Sequence, residues 1–141
     1  MEAIEIPALS SSTFMPQIVI VLTIVVILLI DLFKKNVEKV NITLISLLGI
    51  ALAYMTTLWL TPSSEPAFVG MMIRDELSIF LDKLFLIGTA LIVLLSHKLS
   101  YRFERNFAEY LVLTLSAALG MMCISVSADL VMIFIGIELI S

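Results

Sequence analysis

Charge is the scarcest commodity in this sequence: 14% of the 141 residues are Asp, Glu, Lys or Arg, where a soluble domain carries about a quarter. There is one cysteine, Cys123, so no intramolecular disulfide can form. One His and one Cys cannot build a multi-residue zinc or iron–sulfur site. The first 33 residues contain no Lys or Arg, which argues against a cleavable signal peptide. No basic cluster is present for nucleic acid, and no polybasic stretch of the length expected for lipid headgroups. A glycine-rich dinucleotide fingerprint, a CxxC pair and a His pair at haem-ligand spacing are all missing.

What fills the sequence instead is apolar. Hydrophobic residues make up 61% of it, and the mean hydropathy is +1.16. A small globule could not bury that excess in one core. A soluble enzyme, a nucleic-acid binder and a disordered tail are excluded, and the class is integral membrane protein.

About 20 apolar residues cross a ~30 Å hydrocarbon layer as a helix. Residues 6–30 are free of charge, and so are residues 40–64, with Tyr54 and Trp59 towards the far end of the second run. The chain therefore reads as a single all-α membrane domain over residues 1–141, with spans at about 15–33, 41–60, 77–96, 110–126 and 128–141. Four of these are full length. The fifth has about 14 residues, or roughly 21 Å of helix, and is expected to be incomplete. The stretch TPSSEPAFVG has the composition of a connecting loop. Ser116 and Gly120 have the spacing that lets two helix backbones approach closely in lipid.

Loop charges set the expected orientation. The first loop holds Lys34, Lys35 and Lys39 and the third Lys98, Arg102 and Arg105, whereas the second holds Arg74 alone. The N-terminus should face outward and the two basic loops inward, in a cell membrane.

Glu138 stands out among the charged residues. It lies nine residues beyond Asp129, about 13 Å along the fifth helix and close to the bilayer midplane. An ionised carboxylate there costs at least ~2.5 kcal/mol, so it must pair, hold a proton or face water. Those are the properties of a proton relay; the plainer reading is a protonated Glu bonded to a neighbouring helix. Asp82 and Lys83 lie about 8–9 Å into the third span and, being adjacent, do not share a face. Their roles stay open, with Lys83 able to snorkel to the interface. Asp31, Glu109 and Asp129 read as boundary groups, and Asp129 suits a helix N-terminus. His97, beside Lys98, reads as structural, with proton uptake as the second reading. Cys123 reads as packing.

Two segments carry a family resemblance. RDELSIFLDKLFLIGTALIVLLS and FAEYLVLTLSAALGMMCISVSADLVMIFIGIELIS resemble subunit N of the proton-translocating NADH:quinone oxidoreductases (respiratory complex I). The marks are Asp75 to Phe80, Glu109–Tyr110, Gly120–Met121, Ser125, Asp129–Leu130, the run Phe134 to Leu139, and Ser141. The related subunits L and M and cation/proton antiporter subunits share the Glu-bearing helix; the single helix before the first basic loop favours subunit N.

The resemblance implies an antiporter-like fold of two inverted repeats, with Glu138 as the fifth-helix glutamate that works against a lysine on a later helix. It further implies proton translocation coupled to electron transfer from NADH to quinone in a bacterial inner membrane. No cofactor is expected in this chain; NADH, flavin, iron–sulfur clusters and quinone would belong to other subunits of the complex. The expected partners are those subunits and the lipid bilayer. The later helices of the family lie outside these 141 residues, which look like roughly the first third of the family's length, so the chain alone should not transport. Two other functions remain open: a cation/proton antiporter subunit, and a structural membrane scaffold in which Glu138 only packs.

Overall fold

The computed structural model describes residues 14–33, 38–67, 70–99 and 106–141. Five helices carry the fold: α1 (Met15–Phe33), α2 (Lys39–Trp59), α3 (Glu76–Lys98), α4 (Phe107–Ser125) and α5 (Leu130–Ile140). The first four are long and apolar enough to cross a membrane. The helical architecture expected from the hydrophobic runs is therefore present. Successive helices pack side by side, and α4 closes back onto α1, so α1 to α4 form a ring around one core. α5 lies outside that ring against α4.

The charge-free runs form these helices because a backbone surrounded by lipid must satisfy every N–H and C=O within its own segment. Their hydroxyl side chains follow the same rule. Thr23, Thr43, Ser46, Thr57, Thr89 and Ser96 each donate to the carbonyl of the fourth residue before it, at 2.6–2.9 Å. Polar residues can thus sit inside a greasy bundle at little cost. Ile20, Ile27, Ala53, Leu86, Val93, Leu111, Leu115 and Met122 fill the interior. Leu22, Leu48, Leu91 and Leu113 point outward, as a lipid-facing surface requires.

Two segments depart from the sequence reading. The stretch read as a connecting loop holds a strand, β1 (Ser63–Ala67), which pairs antiparallel with β2 (Met72–Arg74) just beyond it to make a hairpin. Gly70, at φ +86, lies between the two strands, in a conformation that costs glycine nothing. Beyond the hairpin, β2 adds to the α4–α5 turn: the Ile73 N–H donates to the Val126 carbonyl at 3.0 Å, and the Ala128 N–H to Met71 at 2.8 Å. α4 also begins at Phe107, earlier than charge and hydropathy suggested, because Phe107 and Ala108 are buried in the core. Lys34, Lys35, Arg102 and Arg105, on which the expected orientation leans, lie outside the described residues.

α5 meets α4 where Gly120 faces Gly136. A Cβ on Gly120 would come within 2.6 Å of the Gly136 carbonyl oxygen, and one on Gly136 within 2.9 Å of the Gly120 oxygen. The close approach expected of Gly120 is therefore to α5, with Gly136 as the opposing small residue.

Candidate functional site

α5 begins with Asp129, whose carboxylate accepts from the Val131 N–H at 3.4 Å and caps the helix as its position suggested. Gly136 faces α4 and is the helix's buried residue. Glu138, two positions on, is exposed on a side of α5 that the bundle leaves uncovered. The Ser141 hydroxyl donates to the backbone carbonyl of Glu138 at 3.3 Å, leaving the Glu138 side chain out of that bond. Among the described residues its carboxylate has no hydrogen-bond or ion-pair partner. Its helical neighbours Phe134, Ile135 and Ile137 are exposed and apolar. The carboxylate is thus presented on a hydrophobic surface, available to a group from outside this ring of helices.

The second charged site is one that sequence reasoning did not assemble. Arg74, read as a lone basic residue of the second loop, is 2% exposed, and Asp82 is 0% exposed. The Arg74 guanidinium donates to Asp82 Oδ2 at 2.8 Å through one terminal nitrogen, and through the other to Gln17 Oε1 at 3.2 Å. The Ser125 hydroxyl donates to Asp82 Oδ1 at 2.7 Å. The Gln17 amide in turn reaches the Met122 carbonyl at 3.4 Å. Four elements, α1, β2, α3 and α4, therefore converge on one ion pair. Among the described residues, the buried Arg74 Nε has no hydrogen-bond partner.

Local folding explains the convergence. Asp75 caps α3 by accepting from the Ser78 N–H at 2.7 Å, which starts the helix immediately after Arg74. Asp82 then falls on the buried stripe of α3 with Ser78, Ile79 and Leu86. Met72 and Arg74 are the buried residues of β2 and Ile73 the exposed one, the period-two alternation of a strand. Lys83 is half-buried and takes no part in the pair, in keeping with its different direction. The signal that could have found the partner was Asp82 itself. A carboxylate inside a span needs an opposite charge, and with Lys83 pointing elsewhere Arg74 is the nearest in sequence.

His97 sits at the other end of α3, 15 residues or about 22 Å from Asp82. Its Nδ1 is 3.1 Å from the Thr43 hydroxyl. That hydroxyl already donates to the Lys39 carbonyl, so the ring nitrogen is the donor in this contact. Nearby, the Ser96 and Tyr110 hydroxyls lie 3.1 Å apart; Ser96 already donates to the Ile92 carbonyl, so the Tyr110 hydroxyl is the donor here. These bonds join α2, α3 and α4 at that end of the bundle, with His97 tied to α2 through Thr43.

No family model matches the chain. It is 34% identical over 139 residues to NAD(P)H-quinone oxidoreductase subunit 2 of Gloeobacter violaceus, covering 98% of this chain and 27% of that protein. It is 33% identical over 128 residues to NADH-quinone oxidoreductase subunit N of Dehalococcoides mccartyi, covering 89% of this chain and 26% of that one. The same identity holds over 138 residues with subunit N 1 of Koribacter versatilis, covering 90% of the chain and 27% of the relative. The chain thus spans about a quarter of the length of the curated relatives it matches. Over nearly all of its own residues, it is a homologue of NADH-quinone oxidoreductase subunit N and NAD(P)H-quinone oxidoreductase subunit 2.

Proposed function

We propose that this chain forms part of a membrane subunit of a proton-translocating NADH:quinone oxidoreductase, and that Glu138 carries a proton in that process. The homology to subunits N and 2 supports the complex. The observation that carries the role of Glu138 is its placement: a lone carboxylate on an apolar helix face, turned away from the chain's own bundle.

A carboxylate in that setting is stable only when it holds a proton or meets an opposite charge. Its side chain can therefore take up a proton when a neighbouring cation withdraws and release it when the cation approaches. The Gly120–Gly136 contact holds the helix against α4 while this happens. The electron carriers, NADH, flavin, iron–sulfur clusters and quinone, belong in this reading to partner subunits. Electron transfer there supplies the driving energy, and this chain contributes the proton-binding group. The complex sits in the bacterial inner membrane with the N-terminus of this chain outside, as the distribution of Lys and Arg among its loops supports.

The test is Glu138→Gln in the assembled complex, with proton uptake into vesicles recorded beside NADH oxidation. The proposal expects the complex to assemble and proton uptake to fall. Unchanged uptake per NADH in an assembled Glu138→Gln complex would contradict it.

A further inference from the structure

The Arg74–Asp82 pair takes no part in that proton step, yet its members are bonded to residues of α1 and α4 as well as to each other. Both carboxylate oxygens of Asp82 are engaged, one by Arg74 and one by Ser125. Ser125 is the last residue of α4. Arg74 ends β2, whose neighbouring residues Ile73 and Met71 bond to Val126 and Ala128. The α4–α5 turn is therefore gripped on both sides, at Ser125 through its hydroxyl and at Val126 to Ala128 through β2. Both routes run back to the one carboxylate on α3.

α5 starts at Leu130, two residues past Ala128, and its packing partner in the ring is α4. The Gly120–Gly136 crossing gives it one fixed point. α5 packs along α4 on that one face, so a shift at its start can still turn or slide the helix and carry Glu138 to a different position. The turn supplies the second fixed point.

We propose that Arg74, Asp82 and Ser125 are positioning residues: the buried pair, acting through Ser125 and β2, holds the α4–α5 turn and so fixes the direction in which α5 presents Glu138. In what concerns Glu138 this rests on the function proposed above; the hold on α5 does not.

The experiment uses the assembled complex with Asp82→Asn, Ser125→Ala and Ser125→Thr. Ser125→Ala breaks one link while leaving the ion pair intact, so it answers even where Asp82→Asn fails to assemble. Amide hydrogen exchange is read at Ile73, Ala128 and residues 130–133, with residues 45–53 of α2 as reference. The pH profile of vesicle proton uptake is read on the same samples. Exchange at the turn should rise at least ~10-fold in Asp82→Asn and Ser125→Ala, with α2 unchanged. The pH profile of proton uptake should move with it, and Ser125→Thr, which keeps the hydroxyl, should restore both.

Unaltered exchange at the turn in Ser125→Ala overturns the proposal. Faster exchange with an unmoved pH profile overturns it too, since the pair is then a clasp without influence on Glu138. Glu138→Gln separates the two ideas. If that variant leaves proton uptake intact, the role of Glu138 falls, and exchange at the turn alone decides whether the pair holds α5.

Discussion

Arg74 and Asp82 meet at 2.8 Å in the interior of the helix ring, eight residues apart in sequence and both almost wholly out of contact with solvent. Removing one partner of such a pair leaves the other buried and uncompensated, at a cost of about 3–5 kcal/mol. Asp82→Ala and Arg74→Ala should each lower the thermal stability of the subunit strongly. The double variant Arg74→Met with Asp82→Leu should lose less than either single change, because no charge is then stranded. Thermal denaturation of the detergent-purified complex checks this, and additive losses in the double variant would show that the pair is not coupled.

Gln17 answers for the second Arg74 nitrogen. Gln17→Leu leaves that buried donor unpaired, so a loss of about 1–3 kcal/mol is expected, smaller than that from breaking the ion pair. The same melting experiment ranks the two, and an equal or larger loss for Gln17→Leu would contradict the bond pattern.

The α4–α5 contact makes a contrast between glycines. Gly120→Leu puts a side chain where the Gly136 carbonyl and the Ile140 and Leu139 side chains already lie, and should block assembly. Gly88→Ala has nothing within 4 Å of the new methyl and should assemble normally. The amount of subunit in the purified complex reports both outcomes.

Orientation is open to direct labelling. In a Cys123→Ala background, a cysteine replacing Ser63 in the hairpin segment should react with an impermeant maleimide added outside spheroplasts. One replacing Lys98 should react only after the membrane is broken. The reverse pattern would overturn an outward N-terminus.

The helices were legible because lipid leaves a spanning segment little choice: long charge-free runs must become helices, and α1, α2 and α3 lie within two residues of their expected limits. The hairpin was not, because its second strand is fixed by Val126 and Ala128, more than fifty residues away, and nothing local to Met71–Arg74 announces that pairing. Asp82 was visible as a carboxylate in need of a partner. Arg74 was hidden by its place in a loop, where a basic residue is normally solvated. Only the turn of β2 towards the bundle brings its side chain inside. Glu138 was visible from its depth in an apolar run, and its outward direction followed only once Gly136 was seen against Gly120.

The proton-to-electron ratio of the assembled complex tests the central claim most directly. Wild type, Glu138→Asp and Glu138→Gln are reconstituted into vesicles, and protons moved are counted against NADH oxidised. A carboxyl group at position 138 is what the account requires, so Glu138→Asp should keep a ratio near wild type and Glu138→Gln should lower it. A wild-type ratio in Glu138→Gln would contradict the account.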